Sequence, residues 1–302
     1  MPRPSVAQFG SGFIYVYAMY CDGASFAGDV AEPNNDTSTT LYFRGHRILQ
    51  AIFDMMETKL GLGHAPEAVL AGCSAGGLAT YIHCDKFADF ARAAAVRAGR
   101  AATDVKTRCV ADAGYFPDFK AAPSQVPYIS ERYHNVVTLQ NTTGHTNAAC
   151  EAAAAPGDEW RCFFPEVTAP HLATPIFALN SGYDRWQLAN IWFATAPAGS
   201  AWTNCSLSLA ACKGPQLAAL ERFHNEFINT KLAPILSPSS PHGAFIDSCR
   251  EHCQSGATWT TGAVIRGMDI VSTIDAWYTG GPSPATKRVM APYGSPESAS
   301  HC

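Results

Sequence analysis

An α/β fold, with a mostly parallel sheet flanked by helices, is what this sequence predicts. Three observations carry that expectation. Short apolar runs alternate with longer segments of helical periodicity, the pattern of strand–helix–strand units. One apolar run passes through Gly-Cys-Ser-Ala-Gly-Gly, residues 72–77, directly into a helical segment. And 302 residues, 47% of them hydrophobic and 15% charged, suffice to bury a sizeable core. With no repeat, low-complexity tract or clear linker, a single domain over 1–302 is expected.

Taken in order, GFIYVYAMYCDG (12–23) reads as a buried strand closed by a turn at Asp22-Gly23. A Gly-, Asn- and Thr-rich stretch to Thr40 reads as loop. Ile48, Ile52, Phe53, Met56 and Leu60 recur at helical spacing, and Gly61 and Gly63 give the stop. AVLAG (68–72) is a short buried strand, followed by one or two helices to about Gly99. RCVADAG (108–114) and TPIFALNSGYD (174–184) are apolar segments that end in turns. From Gly214 to Leu236 a long amphipathic helix shows Leu217, Leu220, Phe223, Phe227 and Leu232 on one face. HGAFIDSCREHCQ (242–254) is a strand running into a cysteine-bracketed loop, and a last helix lies within 263–280.

The net charge is −4, and no basic run or stripe marks a nucleic-acid binder. No window approaches the roughly 18 uninterrupted apolar residues of a membrane span. The 11 cysteines have no convincing zinc-site spacing: SCREHCQ offers C-x3-C, but no second pair follows. So many thiols fit disulfides and an oxidising compartment, hence secretion. Sequons at Asn35, Asn141 and Asn204 agree with this. Cys205–Cys212 and Cys150–Cys162 are close enough in sequence to pair, and Cys249 or Cys253 could reach Cys302. A monomer is expected.

The hand-over at Gly72-Cys73-Ser74-Ala75-Gly76 is the G-x-S-x-G pattern of an α/β-hydrolase nucleophile turn, in the strand–turn–helix context the pattern requires. Small residues flank the serine because the backbone there is sharply bent. The turn places Ser74 at a helix N-terminus, where the Ala75 N–H can donate to a developing oxyanion. A serine needs a base, and the base needs an orienting acid, in the chain order Ser, acid, His. Asp184 follows a later strand and is favoured over Asp112. Of His224, His242, His252 and His301, the favoured base is His252, in the loop after the last clear strand.

These residues resemble plant-type pectin acetylesterases, which are similar in fold and site to the Notum carboxylesterases. The resemblance rests on YCDGASFAGDV, LYFRGHRIL, LAGCSAGGLATYIHCDKF, CVADAGYFPD, CFFPE, TPIFALNSGYDRWQ, QLAALERFHNEF, FIDSCREHCQ and IDAWYTG, in order from Tyr20 to about Tyr278. It implies an α/β hydrolase with Ser74, Asp184 and His252 as its triad. It further implies hydrolysis of acetyl esters of cell-wall pectin through an acetyl-enzyme, with no metal or organic cofactor and an acetylated polysaccharide as partner. The family's glycine-rich FEGGGWC-like turn, which supplies further oxyanion donors, has no counterpart here. The resemblance therefore implies a chain without its N-terminal strands and signal peptide. Two alternatives stay open: a Notum-like deacylase that removes a lipid from a secreted protein, and a catalytically impaired chain acting only in binding.

Overall fold

In the computed structural model, which describes residues 12–35, 38–256, 262–280 and 283–291, the strands pair in parallel with helices packed on them, the expected α/β arrangement. The chain divides into two compact units. One runs up to Gly114 and resumes over Tyr133–Ile176; the other holds Tyr115–Arg132 and the chain from Phe177 onward.

In the first unit, helix α1 (Gly45–Leu60) ends where Gly61 adopts φ 72°, the left-handed cap that glycine takes without steric cost. Its inner face is His46, Leu49 and Phe53, with Met56 against the same core. Ile48 and Leu60, expected on that face, are exposed: the apolar stripe is wider than the contact, which runs one residue to the side.

Strands β1 (Glu67–Cys73) and β2 (Lys106–Asp112) pair in register from Glu67 opposite Lys106 to Cys73 opposite Asp112. Between them runs α2 (Ala75–Arg97), one helix of 23 residues. Ala79, Ala91 and Ala95 on its inner side pack with Phe26, Phe53, Phe87 and Val105. Small side chains let the helix lie close: a Cβ on Gly77 would stand 2.5 Å from the Asp112 carbonyl oxygen. A disulfide joins Cys84 of α2 to Cys109 of β2, a pairing the spacing did not suggest, and Cys150–Cys162 closes a short loop as expected.

Two expectations need correction here. Residues 13–20 form no strand, and Ile14, Tyr17 and Met19 are exposed; apolar, β-branched and aromatic residues suit a strand but do not supply a ladder partner. Nor is β1 buried throughout: Ala68 is, while Ala71 is exposed.

In the second unit, β3 (Ile176–Ser181), β4 (Gly243–Asp247) and β5 (Arg288–Met290) pair in that order, Phe177 opposite Gly243 and Ala244 opposite Arg288. β3 and β4 are buried along their whole length, which is why they read as unbroken apolar runs. Phe119, Trp192 and Phe223 form one aromatic cluster with ring centroids 5.3–5.5 Å apart. Phe223 comes from helix Pro215–Glu226, which continues in wider turns to Lys231. Leu220, Phe223, Phe227 and Leu232 are buried there, whereas Leu217 is exposed. The helix Ile270–Thr279 is capped by the Asp269 carboxylate on the Ser272 N–H and sets Trp277 against Phe177. Cys205–Cys212 is bonded as expected. Cys249 and Cys253 are also in disulfides; Cys302 lies outside the described residues. No described helix is long and apolar enough to cross a membrane.

Candidate active site

Ser74 stands between β1 and α2 at φ 58°, ψ −122°, a backbone region that residues other than glycine rarely occupy. The turn is held on both sides. The Ser74 N–H donates to the Asp112 carbonyl at 2.9 Å, and its own carbonyl accepts the Leu78 N–H at 2.9 Å. Gly72 is obligatory because a Cβ there would meet the Gly76 carbonyl oxygen at 2.3 Å. Ala75 is the first residue of α2, so its N–H has no acceptor within the helix. Such an N–H at a helix N-terminus suits an anion. Asp112, the rival acid, is buried at the end of β2 and serves this turn through its backbone.

A second turn packs on the first. Ser25 and Phe26 lie at φ 52° and 60°, held by the Asp22 carboxylate, which accepts the Phe26 N–H at 3.0 Å. The Ser25 hydroxyl donates to the Ala75 carbonyl at 3.0 Å. The Ser25 carbonyl accepts from His83 Nε2 at 2.9 Å. Burial pushes the His83 imidazole down to about 3, so it is neutral with its proton on Nε2. Gly45 makes room for Asp22, since a Cβ there would lie 2.0 Å from the carboxylate. Sequence reasoning missed this support of the serine turn; the DGASF run was its only trace.

In the other unit, Asp184 follows β3 and caps the helical turn Arg185–Gln187. Its Oδ1 accepts the Trp186 and Gln187 N–H groups at 2.9 and 3.0 Å. Its Oδ2 accepts from His252 Nδ1 at 2.8 Å. Asp184 is fully buried and the His252 side chain 11% exposed. That bond keeps the imidazole proton on Nδ1 and leaves Nε2 an acceptor, the tautomer a general base needs. Phe116 and Trp186 flank the ring at centroid distances of 6.4 and 6.2 Å. Tyr115, Phe116 and Tyr183 are buried, while Trp186 is 36% exposed.

The competing histidines stand elsewhere. His224 is buried, stacked on Tyr183 at 4.8 Å, and its burial lowers its basicity. His242 is buried just before β4, and His301 lies outside the described residues. Ser181 and Asp247, at the ends of β3 and β4, also went unread. The Ser181 hydroxyl donates to the Cys249 carbonyl and accepts the Tyr183 N–H. The Asp247 carboxyl accepts the Cys249 N–H at 3.0 Å.

The profile of the pectinacetylesterase family matches residues 14–299. The chain is similar to pectin acetylesterase 7 of Arabidopsis thaliana, 36% identical over 267 residues, which is 86% of this chain and 63% of that protein. It is similar to pectin acetylesterase 11 of the same plant, 35% identical, with the same shares covered. It thus spans less than two thirds of the length of these relatives. Similarity to the palmitoleoyl-protein carboxylesterase NOTUM of Drosophila melanogaster is 26% over 62% of this chain and 27% of that protein. The crystal structure of the Wnt deacylase Notum from Drosophila superposes with a TM-score of 0.68 at 22% identity, covering 91% of this chain and 70% of that one; this likeness shows the α/β-hydrolase-like fold.

Proposed function

The chain belongs to the pectinacetylesterase family, and from that premise we propose that it is a serine carboxylesterase releasing acetate from the acetyl esters of cell-wall pectin. In this reading Ser74 Oγ attacks the acetyl carbonyl while His252 Nε2 takes its proton. Asp184 holds the imidazole and stabilises its cation, and the Ala75 N–H donates to the oxyanion. The sugar hydroxyl leaves with the proton from His252. Water, deprotonated by the same nitrogen, then cleaves the acetyl-enzyme to acetate.

The observation that carries the proposal is the 2.8 Å bond from His252 Nδ1 to a fully buried Asp184 that is itself fixed by two backbone N–H groups. A histidine with a merely structural role has no need of a buried carboxylate on one nitrogen. The strained Ser74 conformation supports it too, since strain at a serine persists where the surroundings enforce it. The disulfides fit an oxidising, extracellular setting.

The test is acetate release from acetylated pectin by the chain and by Ser74→Ala. Release abolished in the variant supports the reading. Release that survives Ser74→Ala, or no release beside turnover of a long-chain acyl ester, overturns it.

A further inference from the structure

We propose that Asp247 is a positioning residue for the base: it clasps the loop that carries His252 at both ends and ties that loop to the turn that carries Asp184. The inference rests on the esterase reading for its kinetic consequence but on bonding geometry for its substance. Asp247 ends β4. Its Oδ1 accepts the Cys249 N–H at 3.0 Å, on the near side of His252. The Gln254 side chain bonds the same carboxyl from the far side. The Ser181 hydroxyl bonds that carboxyl as well, and it also holds the Cys249 carbonyl and the Tyr183 N–H. Tyr183 precedes Asp184. One buried carboxyl thus sets the loop of the base against the turn of the acid, and the Asp184–His252 distance depends on it.

The protonation state of this carboxyl follows from its surroundings. Burial raises Asp247 to about 7, with the Glu251 carboxylate pushing the same way and the bonds from Cys249, Ser181 and Gln254 opposing. Among the described residues no cation contributes to the shift of this carboxyl. Arg250, in the same loop, turns to the Ser206 carbonyl. Arg185 acts on Arg250. His224, across Gly182, is lowered in basicity by burial. When protonated, Asp247 donates to Ser181 Oγ, which donates onward to the Cys249 carbonyl and accepts the Tyr183 N–H, so every bond is made. When the proton is lost to solvent, the Ser181 hydroxyl turns to the carboxylate and releases Cys249. The loop is therefore held best below neutrality and loosens above it.

The experiment compares the wild type with Asp247→Ala and Asp247→Asn, using acetate release from acetylated pectin against pH and hydrogen exchange of residues 248–254. Asp247→Ala is expected to lower kcat about 100-fold with KM little changed, as a misplaced base would, and to speed exchange in the loop. Asn keeps an N–H donor for Ser181 and an oxygen for Cys249 at every pH. The wild type is expected to show a descending limb near neutral pH, and Asp247→Asn should restore most of both losses and remove that limb. An alanine variant with wild-type kcat and exchange would overturn the proposal, as would an asparagine variant that keeps the limb. If the wild type releases no acetate, the esterase reading falls, and the exchange comparison alone decides the role of Asp247.

Discussion

Gly72 and Gly76 face one another across the Ser74 turn so closely that a Cβ on Gly72 would sit 2.3 Å from the Gly76 carbonyl oxygen, whereas one on Gly76 would meet nothing within 4 Å. The two glycines of the motif are therefore not equivalent. Gly72→Ala should displace the turn, costing about 2 kcal/mol or more by the overpacking range, and abolish esterase activity. Gly76→Ala should fold with unchanged stability or a gain of a few tenths of a kcal/mol, since alanine is the better helix former. Chemical denaturation of the pair checks this; equal losses would show that the turn relaxes.

Replacing Asp184 by Asn keeps the volume but presents either an N–H or a neutral oxygen to His252 Nδ1. The imidazole then loses its fixed tautomer and the support for its cation. kcat for acetate release should fall by roughly 10³–10⁴ with KM little changed, and the variant should unfold near the wild-type temperature. A tenfold effect or less would remove Asp184 from the mechanism.

The Cys84–Cys109 bridge closes a 25-residue separation between α2 and β2, against 7 for Cys205–Cys212. Chain entropy assigns the longer closure about 3.5 kcal/mol and the shorter about 2.4. Removing both cysteines of the first bridge should lower the urea midpoint more than removing both of the second. The reverse order would show that the short bridge also holds native packing in place, beyond its effect on the unfolded chain.

His83 is held well below its ordinary value by burial, so the folded state binds fewer protons than the unfolded chain. Stability from this group is complete above about 6.5 and is lost as pH falls toward about 3. Unfolding midpoints should decline through that window. His83→Gln, whose amide can still donate to the Ser25 carbonyl, should flatten the decline. A variant with an unchanged slope would place the acid sensitivity at other groups.

Much of this was legible in the residue order. The serine turn and α2 read clearly because glycines at a strand–helix junction have few other uses, and β3 and β4 read because both faces are buried. Asp184 and His252 were favoured on chain order together with position after a strand, and the structure joins the two by a 2.8 Å bond. What stayed hidden was long-range. β5 has three residues with only Val289 buried, too short a run to show periodicity. Ile48 and Leu217 look like core and face water, because spacing defines a stripe but not which edge of it finds a neighbour. Cys84 and Cys109 meet because α2 lies on β2, which no spacing rule contains. Ser25 and Asp247 act through bonds to backbone that the fold alone brings within reach.

The φ of 58° at Ser74 has an evolutionary consequence. Glycine would occupy that backbone without strain, and the relief of about 1–3 kcal/mol exceeds the roughly 0.5–1 that its freedom costs the unfolded chain. Ser74→Gly should therefore make a more stable protein with no nucleophile. Drift under selection for folding alone would favour the glycine. Serine at this φ is thus held at a cost to folding that glycine would not carry, and the unfolding midpoint of Ser74→Gly measures that cost.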